Sequence, residues 1–558
     1  MNPSCIRCAK PFTITGEEIK FLEKIAPVVG GQKVHIPPPI SCPDCRSQLR
    51  TAHRNEQYLY HNKSAASGQP LISLYSPTNE WSRDLKIYSH EEWWSESWDA
   101  LQFGQDFDFA RPFFDQFSDL MKKVPHVALI QVNNENSPFT TGTGFCKNCH
   151  LISCSENCRD CYYGKLIQNS SDIIDSDFVY DSQLCYGCFQ VKNCYNCVCV
   201  NYSQNSSDCF FSENLRGCRN CLFSTNLNNK EYYYMNQPLV KEEYAAKLQE
   251  VLGSREGFKK AHAQLQELRK KRVYKYANII NSENSTGDFL LNCKNCTDCF
   301  DMNNSQDCKY VTVGVNTKDL VDCSNMYLKP ELCYQVLGTI AVYNCIFSLY
   351  VFHSQNLMYS QFCYNSNNLF GCFGLKKNQY CIFNKQYTKE QYETLVPRII
   401  EHMEKTGEWG RFFPPALSPF GYNETVAHEY FPLNKEQAVS RGFHWKEDSP
   451  REYAQSTAAA PDNIQDVKDD ITKIALACEI CGKNYRIIPQ ELQRLKEIPM
   501  PLSRRCPDCR YKERMKLRNP RHLWERTCMK CSTPIMTTYA PERPERVLCE
   551  KCYMEAIY

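Results

Sequence analysis

The chain of 558 residues contains no long apolar run. A membrane-crossing helix needs about 18 or more such residues, so none is expected. Its first residues, MNPSCIRCAK, carry no apolar stretch. No secretory leader is therefore expected, and the expected compartment is the reducing cytoplasm. No GxGxxG, P-loop, HExxH or GxSxG motif occurs, which removes the usual sequence grounds for nucleotide, zinc-protease or serine-hydrolase sites. Histidine is scarce where cysteine is dense: only His150 and His353 fall in the two cysteine-rich blocks, 137–240 and 285–388. That weakens acid–base chemistry and mixed-ligand metal sites there. Charge of one sign is also lacking, with 65 Lys+Arg against 63 Asp+Glu, so the chain as a whole is neither a polycation nor a polyanion.

Cysteine is abundant instead. There are 35, an odd number that cannot all pair, and none lie between Cys45 and Cys146, Cys221 and Cys293, or Cys381 and Cys478. In a reducing compartment this composition points to metal or catalysis before disulfides. Twelve cysteines form three sets at the chain ends: Cys5, Cys8, Cys42 and Cys45; Cys478, Cys481, Cys506 and Cys509; Cys528, Cys531, Cys549 and Cys552. Each set is two Cys-x2-Cys knuckles, which supply four soft ligands to a tetrahedral zinc and leave no open position. Three structural Zn2+ per chain are expected.

The two ends are duplicates. Aligned without a gap, 42–77 and 506–541 share 12 identities in 36 positions, including CPDCR, Arg50/Arg514, Arg54/Arg518 and Asn55/Asn519. In this register Ser64 and Ser67 face Cys528 and Cys531. A three-residue insertion then sets Tyr88 and Glu91 against Cys549 and Cys552. The N-terminal half is thus expected to hold a second ribbon that has lost its zinc, with apolar packing by Trp81, Trp93, Trp94 and Trp98 in place of the metal. A helix starting near Arg46 would align Arg46, Arg50 and Arg54 on one face, repeated by Arg510, Arg514 and Arg518. Such rows suit phosphate contacts, so they are the candidate nucleic-acid-binding residues. The competing reading pairs them with the acidic segment 79–119 or with neighbouring Asp508 and Glu513.

The 23 central cysteines follow a 12-residue period. Positions 149, 161, 173, 185, 197, 209 and 221 are Cys or Ile; three residues earlier the series is always Cys or Ser. One apolar rail and one small rail predict stacked coils, with Asn, Ser, Asp and Gly at tight corners. A second block repeats the first at offsets of 147 and 148, and its period slips by one residue near 320–333. Each block closes on a Tyr-rich strand, Asn236 or Asn384, and a charged helix from Lys241 or Lys389. The first helix is expected to run to about Arg272, with Gly253 and Gly257 as breaks. A ladder of buried thiols explains one cysteine per coil. Iron–sulfur ligation by Cys146, Cys149, Cys158 and Cys161, or disulfides between coils, are the alternatives.

The expected architecture is mainly β and multidomain: two tandem Cys-rich parallel β-solenoids with helical caps, flanked by treble-clef and zinc-ribbon modules. The units are a zinc module (1–60), a metal-free ribbon with an acidic aromatic segment (61–135), solenoid one (137–240), a charged helical connector (241–284), solenoid two (285–388), a helical cap and linker (389–470), a second zinc module (471–527) and a zinc ribbon (528–558). The motifs CPDCR, YSPTNEWSRDLKIYSHEEWW, RPFFDQF and TYAPERPERVLCEKC resemble those of uncharacterised multi-zinc-ribbon, Cys-repeat proteins of candidate-phylum bacteria. The resemblance implies zinc binding and no particular activity. The expected function is a non-enzymatic scaffold for a nucleic acid or ribonucleoprotein. The alternatives are a protein–protein adaptor, or a β-helix enzyme acting on polysaccharide through Asp172, Asp175, Asp177 or Asp181.

Overall fold

A computed structural model describes residues 1–252, 254–447 and 461–557. Gly253 and residues 448–460, part of the expected linker, lie outside the described residues. In the centre, each strand pairs in parallel with the equivalent strand of the next coil. Arg159 pairs with Ser171, Ser171 with Gln183, and Gln183 with Tyr195. A second ladder runs from Lys165 to Asp177 to Phe189. The strand Arg159–Gln168 turns a corner and feeds both ladders.

The corners have a simple cause. Backbone φ is positive at every third residue, as at Asn148, Leu151, Cys154, Asn157 and Asp160. A left-handed residue turns the chain locally, so each period of the sequence makes four short sides. Asn, Asp and Gly dominate these positions because they tolerate that conformation. Every third residue also points inward: Cys146, Cys149, Ile152 and Ser155 in one coil, then Cys158, Cys161, Gly164 and Ile167 in the next. The interior is so narrow that a Cβ on Gly164 would lie 2.3 Å from the Ser176 carbonyl oxygen. The three-residue spacing of the two rails is thus one side of a four-sided coil.

Small polar interiors need partners, and the coil supplies them. The Ser155 hydroxyl donates to Ser153 O and accepts the Ile167 amide of the next coil. The Cys149 thiol donates to Lys147 O at 3.3 Å. Outside, Asn157 donates to Asn169 and Asn169 to Asp181, an amide ladder with the same repeat. The central cysteines are all buried and free, so the disulfide alternative is not realised.

The second stack repeats this geometry with two register changes. Cys296 pairs with Cys308 and Cys308 with Leu320, both one regular period apart, but Leu320 pairs with Cys333, one position further than the period allows. The extra residue is absorbed at Leu328 and Lys329, two consecutive left-handed residues, which is the expected slip. At its start the spacing is one position short, as in Ile279 with Leu290, which the sequence period did not reveal.

Both stacks end alike. An antiparallel turn pairs Tyr233 with Pro238 and Cys381 with Gln386. Asn236 exchanges two hydrogen bonds with the Thr225 backbone, and Asn384 exchanges the same two with Phe373. Helices Lys241–Gln249 and Lys389–Lys405 follow, burying Tyr244 and Tyr392. The expected helix from Lys241 to Arg272 is two helices. The second, Arg255–Lys271, starts at a Ser254 cap whose hydroxyl accepts the Gly257 amide. Gly257 therefore lies inside its first turn rather than at the break. Among the described residues no helix is long and apolar enough to cross a membrane.

The duplicated ends are crossed over the duplicated centre. The N-terminal helix Pro43–Thr51 packs on the second stack, and Pro507–Met515 packs on the first. The strand Ile87–Tyr88 pairs in parallel with His126–Val127 ahead of stack one, and Arg546–Leu548 pairs with Val273–Lys275 ahead of stack two. Leu166 and Val313, equivalent positions of the two blocks, share one buried cluster between the stacks.

Candidate metal centres and the arginine helices

Three groups bring four Cys Sγ atoms within 4.8 Å of one another: Cys5, Cys8, Cys42 and Cys45; Cys478, Cys481, Cys506 and Cys509; Cys528, Cys531, Cys549 and Cys552. The contacts Cys8–Cys42, Cys481–Cys506 and Cys531–Cys549 are each 3.7 Å. Four thiolates at about 2.3 Å from one tetrahedral ion would stand roughly 3.8 Å apart, so the sets fit zinc. Among the described residues no such group includes central cysteines: Cys146, Cys149, Cys158 and Cys161 meet as neighbouring pairs, along a side and between coils, without all four converging. These four thiols thus form no single-ion set of the kind found at the chain ends.

The knuckles share one local cause. The first cysteine's amide donates to the carbonyl five residues on: Cys5 to Lys10, Cys478 to Lys483, Cys528 to Thr533. A left-handed residue closes each turn, Ala9, Gly482 and Ser532. The second knuckle opens a helix, with Cys42 and Cys506 as N-cap residues and Pro in the first turn. The helix thus starts at Pro43, not near Arg46, because the knuckle is its first turn. Burial raises the Cys478 and Cys528 thiols, but neighbouring backbone groups outweigh it and bring both to about 6. Thiolates are the form that binds metal.

The fourth module has the same frame without sulfur. Ser64 N donates to Gln69 O as Cys528 N does to Thr533 O, and Ala65 N reaches Ile87 O as Met529 N reaches Val547 O. That register sets Ser89 and Glu92, not Tyr88 and Glu91, against Cys549 and Cys552. The Glu92 carboxylate accepts the Ser64 hydroxyl at 2.5 Å and the Ser89 amide at 2.8 Å. Burial raises its pKa, but Ser64, Ser67 and Ser89 outweigh it and hold it below the usual range. A carboxylate in a cradle of serines therefore stands where the zinc thiolates would be. The expected apolar replacement is a partial account: Trp93 and Trp98 are buried beside the module, not in the metal position.

The arginine rows face inward. Arg46 Nε and Arg50 Nη1 reach Asp322 at 2.7 and 3.3 Å. Arg510 reaches Asp175 and Glu491 at 2.5 and 3.0 Å. Arg514 binds Asp175 at 3.0 Å, Asp177 at 2.6 Å and the Tyr163 carbonyl at 2.9 Å. Beyond the helix ends, Arg54 pairs with Glu56 and meets the Cys154 thiol of stack one, and Arg518 pairs with Asp301 of stack two. Five of the six candidate phosphate contacts are buried, and the side chain of the sixth, Arg518, is 8% exposed; phosphate could reach them only by parting the modules from the stacks. Their partners are acids of the central blocks, Asp175, Asp177, Asp301 and Asp322, and of the end modules themselves, Glu56 and Glu491; none lies in the segment 79–119, and Asp508 and Glu513 are not among them.

These acids were missed as docking residues. Asp175 and Asp322 are separated by the repeat offset of the two blocks, which is the signal that could have paired them with the duplicated arginines. Asp175 and Asp177, considered above for polysaccharide chemistry, are held in these ion pairs. Asp172 meets Gln183, and Asp181 belongs to the amide ladder. Lys165, fully enclosed, bridges Glu56 and Glu429 at 2.6 and 2.9 Å and ties stack one to both neighbouring segments.

No known protein family matches the chain, and no curated protein matches it. A solved structure from Desulfovibrio desulfuricans G20, described as an acetyltransferase, aligns over 46% of this chain and 68% of that chain at 10% identity. Its TM-score of 0.11 is too low to carry an argument about fold or activity.

Proposed function

We propose that the protein is a non-enzymatic, zinc-stabilised scaffold. In this reading the parallel stacks are four-sided β-solenoids with helical caps, clamped crosswise by two treble-clef modules, and the C-terminal hairpin module is a zinc ribbon. The observation that carries it is closure of the metal sets. Four protein thiolates saturate each ion and leave no position for substrate or water. The free thiols fit the reducing cytoplasm.

The scaffold binds another macromolecule, and protein is the favoured class. Each knuckle turn presents an apolar side chain to solvent: Ile6, Ile480 and Met529. The arginines that a nucleic acid would need are engaged inside the fold. Affinity purification of the full chain from its native host, with and without nuclease and at low and high salt, tests this reading. Protein partners retained after nuclease at high salt support it. Recovery that disappears with nuclease would replace it with a nucleic-acid or ribonucleoprotein scaffold.

A further inference from the structure

The crossed halves are not electrically equivalent. Arg510 and Arg514 face three carboxylates, Asp175, Asp177 and Glu491. Arg46 and Arg50 face one, Asp322. The position equivalent to Asp177 in the second block is Ser324, shorter by a carboxylate, and its hydroxyl accepts from Thr312. All three Arg514 nitrogens have partners, with Nε on Asp177. Arg50 is fully buried, and its Nε and Nη2 have no partner among the described residues; Arg510 leaves the same two nitrogens without one, but beside two carboxylates, Asp175 and Glu491. The adjacent Cys323 thiol is pushed up to about 12 by burial, so it supplies no negative charge.

Two guanidiniums with one carboxylate leave a buried positive charge uncompensated, which is costly in a dry interior. Unpaired N–H groups add to that cost. Water would satisfy the N–H groups but not the charge; an anion satisfies both. We propose that Arg50 binds a small monovalent inorganic anion, such as chloride, in the place that the Asp177 carboxylate fills in the other half. Burial pulls the Arg50 pKa below its ordinary value against the opposing pull of Asp322. In Arg514 the same burial is outweighed by Asp177 and Asp175, and the pKa is raised.

Crystals of the full chain soaked in sodium bromide test the site directly. The expected result is an anomalous bromide peak against Arg50 Nε and Nη2 and none against Arg514. No peak at Arg50, or water there in its place, overturns the proposal. In solution, the melting midpoint of the unaltered chain should rise when potassium chloride replaces potassium gluconate at equal ionic strength. Ser324→Asp should abolish that rise by supplying the carboxylate of the other half. An equal chloride response in both proteins overturns the proposal, and the bromide result stands even if Ser324→Asp does not fold.

Discussion

At the C-terminal side Arg510 and Arg514 dock on stack one against Asp175, Asp177 and Glu491; at the N-terminal side Arg46 and Arg50 dock on stack two against Asp322 alone. The hairpin modules differ in parallel: one gathers Cys528, Cys531, Cys549 and Cys552, the other Ser64, Ser67, Ser89 and Glu92. Each pair keeps its backbone hydrogen bonds while the polar centre changes. The duplicated frame is therefore set by turn geometry and docking, and tolerates exchange of the group at its centre.

The largest expected effect is on metal. Cys506→Ser should release one zinc and unfold its module, because apparent zinc-binding energy, about 10–16 kcal/mol in small zinc units, is folding energy there. Elemental analysis and protease cleavage within 471–527 check this; a full metal complement would remove the distinction between zinc and serine centres.

Next in size is the charge contrast. Asp322→Asn should cost about 3–5 kcal/mol, since it leaves two buried arginines without a carboxylate. Asp175→Asn should cost less, because Asp177 and Glu491 remain. Chemical denaturation of both variants orders them, and the reverse order would mean that the carboxylate counts do not govern docking.

Smaller again is the serine cradle. Glu92→Gln should destabilise the chain by about 1–3 kcal/mol, by replacing a charge-assisted acceptor with a neutral amide. It should not change metal content. A zinc loss here would show that this module binds metal after all.

The smallest effect belongs to the thiol rail. Cys197→Ser should cost about 1 kcal/mol or less, because a hydroxyl can donate to Tyr195 O as the thiol does. Interior Ser170 already makes the same bond to Gln168 O. A much larger cost in thermal denaturation would mean that the thiols do more than fill and bond the coil.

Much of this frame was legible before any coordinates. Cys-x2-Cys pairs mark metal sets because their spacing is local, and the slip at 320–333 shows as a break in a regular count. Reading Cys146 and Cys149 as two rails caught one side of each coil. The four-sided shape needed the same step of three carried on through Ile152 and Ser155, where residue type changes and the cysteine signal ends. The arginine partners were not legible for a different reason. Arg510 and Asp175 are far apart in the chain, and helical spacing reports which residues share a face, not whether that face is wet. Glu92 was misplaced by one position because an insertion between hairpin and helix has no sequence anchor once the cysteines are gone.

The most direct test of the account is the metal content of the full chain purified without added metal. Three zinc ions per chain, with neither iron nor a fourth zinc, is the result expected from three thiolate sets and one serine–carboxylate centre. One zinc or none, or iron with visible absorbance, would contradict it.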